Sequence, residues 1–567
     1  MMNFAFASSR RMTWRGLGGW ICLLTLPLVL CAAARSEKMP VVPKWSRFER
    51  RFLSTLPYTN ALQQATLTVL FISPLGETNR VSGFWDGGWT WRVRFSPNLC
   101  GRWTYQTRCS NPANKGLHDR TGQFLCTAPI GDSPFRRHGP VRIARDHRHL
   151  EHADGTPFFW LADTVWDGAR VAEPRDWRFY AGARAAQKFS AVQWSAAPGE
   201  DSKHQAAFTG RQRIAVHPKY FKRLDAKIDE LNRAGLLSVI VPLREIDAGP
   251  ADTLPVDQAI LLLRYMAARW GAGDVAWLLA FGGSDVLSDA GNAARWREIG
   301  RSVFGDAPHA TVVLFPGANS WVLDEFENEP WVDAFGYQTG QNVDEDSLKW
   351  LLAGPLTLQW KKGLPRPLIN IAPPCENGIT AQGDRRVQAD EVRRAIWWSL
   401  LLSPPAGVSY AAEGVWNWNQ TVDPPEHARQ RDLPVWKKSL FLPGAKQMSH
   451  VAGLFQTVDF WQLTPASRVL GVQPGVASPA RFIAAAGTGS GRLCLAYVPE
   501  GPSIDVLRRS LPASPAARWV NPSTGESEAV TALVSGSVCH FNTPGSGDWL
   551  LVVEDGKQAD AVPARRR

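Results

Sequence analysis

Cysteine is scarce in this chain, with eight in 567 residues. None stands in a CxxC pair or a Cys/His cluster of zinc spacing, so a structural zinc module is not expected. No GxSxG elbow is present, which argues against a serine hydrolase of the α/β type. Cys375 has no histidine close in sequence, and His217, His309 and His450 are scattered. A nucleophilic thiol and a His-based metal site are therefore both disfavoured, and no cofactor or metal is expected. No glycine-rich phosphate loop follows a strand-like run, against a dinucleotide-binding sheet. Past the N-terminal leader no apolar run is long enough to span a bilayer. A basic stripe with interleaved aromatics is also missing. The formal charge of +11 includes Arg10, Arg11 and Arg15 near the start and Arg565, Arg566 and Arg567 at the end. Without those six, about +5 is spread over the body, which is a poor footprint for nucleic acid.

What is present begins with an export signal over residues 1–34. A basic region precedes the apolar "WICLLTLPLVLCAAA", and Ala32 to Ala34 supply small residues for cleavage. The adjacent arginines in "SSRRMTW" are compatible with a twin-arginine route. A periplasmic or extracellular location is expected, with no stable membrane insertion once the leader is removed. In an oxidising compartment Cys494 and Cys539 are a candidate disulfide, as are two of Cys100, Cys109 and Cys126.

The rest of the chain divides into three folded parts, as expected for this length. Residues 41–135 alternate apolar and polar side chains in runs such as "QQATLTVLFISP" and "GRWTYQTRCS", bounded by Gly, Pro and Asn. That pattern predicts a β-sandwich. Residues 145–455 change texture. Eight strand-like runs ("FFWLAD", "FSAVQW", "LLSVIVPL", "VAWLLAF", "TVVLF", "DAFGYQ", "PLINIA", "GVSYAA") are separated by amphipathic stretches such as "YFKRLDAKIDELNRAG". Eight β-then-α units predict a (β/α)8 barrel. Residues 470–555 return to alternation, predicting a small C-terminal β-sandwich, and 556–567 is a basic tail expected to be disordered.

In such barrels the active site lies at the carboxyl ends of the strands. Applied to the eight runs, that rule nominates Asp163 and Trp166 after strand one, and Gln193 and Trp194 at the end of strand two. It nominates Glu245 and Asp247 after strand three, Asp285 after strand four, and Tyr337 and Gln338 at the end of strand six. Glu376 follows strand seven and Glu413 follows strand eight, with Trp416 and Trp418 just beyond. Carboxylates beside aromatic side chains at one rim suit carbohydrate chemistry. Sugar rings stack on aromatic faces, and a glycosidic bond needs two acids to cleave it. Strands four and seven face each other across an eight-stranded barrel, so Asp285 and Glu376 are the expected catalytic pair. Glu413 is the alternative. Asp163, Trp166, Gln193, Trp194, Tyr337, Gln338, Trp416 and Trp418 are the candidate substrate-binding residues. Two carboxyl groups about 5–5.5 Å apart would retain anomeric configuration, and about 6.5–9.5 Å would invert it.

The stretches "HLEHADGTPFFWLADTVWDGAR", "VAWLLAFGGSD", "PWVDAFGYQTGQ", "RPLINIAPPCENGI" and "GVSYAAEGVWNW", in that order, resemble the apiosidase-like glycoside hydrolase catalytic domain. The N-terminal "VSGFWDGGWTWRVRFSPNLCGRWTY" resembles the β-sandwich that often precedes this domain. The tail "ARWVNPSTGE" to "GDWLLVVED" is similar to a β-domain named for collagen binding in such proteins, and is read here as an accessory module without a collagen partner. The resemblance implies a glycosidase of branched plant or microbial polysaccharide, with Asp285 as general acid/base and Glu376 as nucleophile. Retention of configuration is expected. Two positions depart from the family pattern. Ser284 intervenes between the paired glycines and Asp285. Where the family shows Glu-Pro-x-Tyr-Glu, this chain reads Ala372-Pro373-Pro374-Cys375-Glu376, so the second Glu alone survives. A catalytically inactive barrel that binds carbohydrate or acts as a scaffold is therefore the alternative.

Overall fold

The computed structural model describes residues 39–556 except 245–252, 280–289, 306–307, 319–320, 322, 341–343, 355–356, 359–364, 381–382, 384, 404–405 and 422–433. The expected leader, the basic tail, Glu245, Asp247 and Asp285 lie outside the described residues.

All eight strand-like runs of the central region form strands, and they close into one parallel barrel. We number them β1 (Trp160–Thr164), β2 (Ala191–Ser195), β3 (Leu237–Val241), β4 (Val275–Leu279), β5 (Val312–Leu314), β6 (Ala334–Gln338), β7 (Leu368–Ala372) and β8 (Gly407–Tyr410). The strands are short and buried on both faces, as parallel strands wrapped in helices must be. Trp160, Ala162, Ala191, Leu237, Val239, Ala276, Leu278, Val313, Ala334, Ile369 and Ile371 fill the interior. Leu161, Val192, Trp194, Ile240, Trp277, Leu314, Phe335, Tyr337, Val408 and Tyr410 face outward against the helices.

The predicted amphipathic segments are the helices α1 (Pro174–Ala186), α2 (Pro218–Arg233), α3 (Val256–Trp270), α4 (Ala290–Phe304), α5 (Glu345–Ala353), α6 (Ala389–Leu402) and α7 (Pro443–Phe455). α2 buries Tyr220, Phe221, Leu224, Ile228 and Leu231, the three- and four-residue spacing of a single apolar face. It stops at Gly235, whose φ of 81° is the left-handed conformation that ends helices and favours glycine.

One end of the barrel is closed. Phe135, Val141, Leu150 and Phe158, from a helical turn and a small sheet ahead of β1, pack into the same cluster as the barrel lining. The carboxyl ends of the strands form the opposite end.

The N-terminal region is a sandwich of a five-stranded and a three-stranded sheet around Phe48, Phe71, Trp103 and Phe124. It is fastened to α2 and α3 by a buried ion network. Arg94 pairs with Asp225 at 2.8 Å and donates to the Arg269 carbonyl at 2.8 Å. Arg269 in turn bridges Asp86 at 3.0 Å and Asp225 at 2.7 Å. The C-terminal region packs a six-stranded sheet on a three-stranded one and docks on α6. There Arg393 makes a two-pronged pair with Asp548 at 2.6 and 2.7 Å, and Trp397 stacks on Tyr497. Cys494 and Cys539, a candidate disulfide from sequence, both enter the core of this sandwich but remain free thiols. They stand on strands of opposite sheets.

Asp274, just before β4, gives the barrel a pH-sensitive point. It is buried beside Arg136 at 3.5 Å, and burial pushes its carboxyl up from 3.8 to about 6 against the pull of that arginine. The folded state therefore holds this proton more tightly than the unfolded chain. The resulting stabilisation is full below about pH 4 and is lost as pH rises through about 6. Its size is about 3 kcal/mol at most, from the width of the shift. Comparing urea midpoints of wild type and Asp274→Asn between pH 4 and 7 should show the variant losing less stability as pH rises. Parallel curves would refute the assignment.

Candidate active site

β8 runs into "AAEGVWNW", and the turn there brings Glu413 to the open end of the barrel. The Glu413 carboxylate is buried. It accepts from Trp416 Nε1 at 3.1 Å and from Asn417 Nδ2 at 3.3 Å. Its backbone N–H donates to the Glu376 carbonyl at 2.8 Å, tying the loop after β8 to the loop after β7. Burial pushes the Glu413 carboxyl above the usual range. The Trp416 N–H and the charge of Arg386 oppose that shift without reversing it. Trp416 is half-buried and its ring packs against the barrel-lining cluster, which near this end includes Trp166 and Phe315. Those two rings lie 5.9 Å apart at 30°. Ala372, at the end of β7, packs against the same cluster. One buried carboxyl and three aromatic side chains thus share the open end.

Glu376 lies nearby in the chain but turns the other way. Its carboxylate accepts from the Tyr410 hydroxyl and, at 3.1 Å, from the Gly444 N–H in the first turn of α7. Tyr410 belongs to the outer layer, so Glu376 is held between barrel and helix. A Cβ on Gly444 would lie 2.3 Å from Glu376 Oε2; glycine leaves the carboxylate its place. Burial raises the Glu376 carboxyl too, against the pull of those two donors; what sets it apart from Glu413 is that both donors hold it against α7, an ordinary structural anchor at a helix N-terminus.

The other sequence candidates separate by the face of the strand on which they sit. Asp163 points outward from β1 and is fully buried, paired with Arg184 of α1 at 2.7 Å and accepting from Tyr180. Trp194 points outward from β2, with Nε1 donating to Ser238 at 2.8 Å. Tyr337 points outward from β6 toward Ser403 and Trp350. Trp418 is buried in the outer layer, stacked on Trp436 with centroids 4.1 Å apart. None of these four can reach a substrate at the open end; they hold helices to strands.

Gln193 points inward but is fully occupied. Its amide donates to Thr164 at 2.7 Å and the Ile371 carbonyl at 2.8 Å, and accepts from Ser409 at 3.0 Å. It ties four strands together below the opening. Gln338 ends β6 half-buried, its amide donating to the Pro316 carbonyl at 2.5 Å. Trp416, half-buried, therefore remains as the accessible aromatic, with Trp166 in the buried cluster it packs against. Sequence reasoning missed Phe315 and Asn417. Phe315 follows β5 directly, and the strand-end rule applied there would have found it. Asn417 was signalled only by its place beside Trp416.

Among the described residues no group of three or more His, Cys, Asp or Glu could hold a metal ion. Among them, also, no helix is long and apolar enough to cross a membrane. The Cys375 thiol, buried near Glu413 and Glu376, is pushed well above its usual value, chiefly by burial. That is the opposite of what a nucleophilic thiol needs.

A closed parallel (β/α)8 barrel carrying a buried carboxyl and aromatic rings at the carboxyl ends of its strands has the architecture of the glycoside hydrolases. The chain belongs to the apiosidase-like family: the family description "Apiosidase-like, catalytic domain" matches residues 144–462. Family and fold together make it a glycoside hydrolase. Residues 41–110 match "Domain of unknown function (DUF5060)", and 467–554 match "Putative collagen-binding domain of a collagenase". Among solved structures the chain is similar to a "putative glycoside hydrolase" from Bacteroides vulgatus, with 16% identity and TM-score 0.68. The match covers 91% of this chain and 100% of that one. A family 5 glycoside hydrolase from the same organism gives 18% identity and TM-score 0.65, over 77% and 97% of the two chains. Another chain described as a glycoside hydrolase gives 19% and 0.66, over 76% and 99%. No curated protein matches the chain.

Proposed function

We propose that this protein is an exported glycoside hydrolase that cleaves a branched plant or microbial polysaccharide by a retaining, two-carboxylate route. Glu413 is the proton donor and Asp285, after β4, supplies the second carboxylate. The observation that carries this reading is the buried Glu413 carboxyl beside Trp416. A carboxyl raised above its usual range keeps its proton to higher pH than a free one and can give it to a leaving glycosidic oxygen. Trp416, half-buried over the cluster that holds Trp166, offers a ring face for the sugar. Asp285 rests on its sequence position opposite the β7–β8 side of the barrel. Export rests on the leader.

The screen that tests this sets wild type against Asp285→Asn and Glu413→Gln on branched pectic and other polysaccharides. Sugar release should be seen with wild type and lost in both variants. The anomer first released, read by NMR, decides between retention and inversion. Equal release from variants and wild type would overturn the residue assignment.

A second reading is favoured by β7. Its end carries Ala372 where the family pattern has Glu, and the surviving Glu376 is engaged by α7. If no substrate is cleaved by wild type while polysaccharide still binds, the barrel is a binding protein.

Trp416 supplies a finer check. Its N–H stabilises the ionised form of Glu413, so Trp416→Phe should let that carboxyl keep its proton to higher pH. The alkaline limb of kcat/KM should then move upward. An unchanged or downward limb would separate Glu413 from the proton-donor role.

A further inference from the structure

The N-terminal sandwich holds two cysteines in an arrangement that the glycosidase reading does not use. Cys100 immediately precedes the strand Gly101–Cys109, and Cys126 lies on the neighbouring antiparallel strand Thr121–Thr127, where it stands opposite Gly101. Side chains diagonal across a regular ladder point to opposite faces. Here Gly101 breaks the regularity. Its φ is 127°, and a Cβ on it would lie 2.8 Å from Pro74, so both conformation and space demand glycine. The Cys100 thiol donates to the Thr127 carbonyl at 3.3 Å, and the Cys126 thiol reaches that same oxygen at 3.7 Å. One carbonyl oxygen thus gathers both thiols at the same end of the ladder. Cys100 is exposed, while Cys126 is buried in the sandwich core.

We propose that Cys100 and Cys126 are a site of covalent oxidation, closing to a disulfide that clamps the two strands at their paired end. The strand of Cys126 also carries Val41–Pro43 as its parallel neighbour, so the bond would stiffen that side of the sheet. The oxidant is a small-molecule disulfide. The exposed Cys100 thiolate attacks one of its sulfurs, forming a mixed disulfide and releasing one thiolate. Cys126 then loses its proton and attacks the Cys100 sulfur; the protein disulfide forms, the mixed one breaks, and a second thiol leaves. Two protein thiols are oxidised and one disulfide is reduced to two thiols. The second step is slow at neutral pH. In the dithiol form burial, with Cys100 beside it, pushes the Cys126 thiol up to about 11, with Lys44 pulling the other way, and the burial remains when Cys100 is in the mixed disulfide. Closure should therefore quicken about tenfold per pH unit between pH 7 and 9.

The test treats the purified full chain with oxidised glutathione and alkylates it under denaturing conditions before peptide mapping. It does not depend on where the protein resides, so it stands apart from the export reading. A Cys100–Cys126 cross-linked peptide is expected, with Cys109, Cys375, Cys494 and Cys539, and Cys22 and Cys31 where the leader is kept, all alkylated. Cys100→Ser should abolish the cross-link and leave Cys126 alkylated, while Cys109→Ser should change nothing. A glutathione adduct persisting on Cys100 beside an alkylated Cys126 would overturn the proposal. So would a cross-link from either residue to another cysteine in wild type.

Discussion

Glu413→Gln lowers kcat about 10²–10⁴-fold, the usual range for loss of a general acid. Glutamine keeps the shape: its carbonyl can accept from Trp416, and its NH2 can meet the Asn417 Oδ1 once that amide turns over, so the fold should be intact. What it cannot do is release a proton to a leaving oxygen. The loss should accordingly shrink on substrates with good leaving groups, which depart without protonation. Glu376→Gln is the control that gives the experiment its meaning. It weakens the anchor between the β7 loop and α7, made through the Tyr410 hydroxyl and the Gly444 N–H. The expected cost is about 1–2 kcal/mol of stability, with kcat within about threefold of wild type. Initial rates and urea unfolding on both variants separate the two roles. A reversed pattern, with Glu376→Gln folded but inactive and Glu413→Gln active, would return the chemistry to β7.

Arg184→Met destabilises the barrel by about 3–5 kcal/mol, the cost of leaving a buried carboxylate without its cation. Arg184 and Asp163 are both fully excluded from solvent. The guanidinium also donates to Gln187 at 2.7 Å and to the Leu440 carbonyl at 2.9 Å, joining β1, α1 and the segment before α7. Methionine fills much of the volume and replaces none of the charge. Burial already raises the Asp163 carboxyl despite Arg184, so without the arginine it will fold protonated or not at all. Replacing both partners, as Asp163→Leu with Arg184→Met, should recover much of the loss, because an apolar pair needs no compensation. Urea midpoints of the two singles and the double give the coupling energy. A mild single-variant effect, below about 1 kcal/mol, would mean that water or another group reaches the carboxylate.

The eight strand-like runs, their helical partners and the flanking alternating regions were legible because their signal is local. Apolar period, turn residues and element length are read within a dozen positions. The order of elements then points to a barrel, since parallel strands joined by helices have few ways to bury both faces. The strand-end rule also placed Trp166, Glu413 and Trp416 near the opening. The direction of each side chain was another matter. In a strand that is polar on one side the alternation gives its phase. In "FFWLAD", "FSAVQW" and "DAFGYQ" both faces are buried, so Asp163, Trp194 and Tyr337 look the same whether they point at the opening or at a helix. They point at helices. Glu376 shows the same limit in a loop: nothing in "APPCENGI" reveals that Gly444, far along the chain, waits to receive its carboxylate.

From the sequence alone came the kind and order of elements, the closed parallel barrel and the family, because these follow from local periodicity and from motifs in line. Which acids turn toward the opening was decided by tertiary structure. The partners that fix them, Tyr410 and α7 for Glu376, α1 for Asp163, belong to other elements and meet them only after the ring has closed.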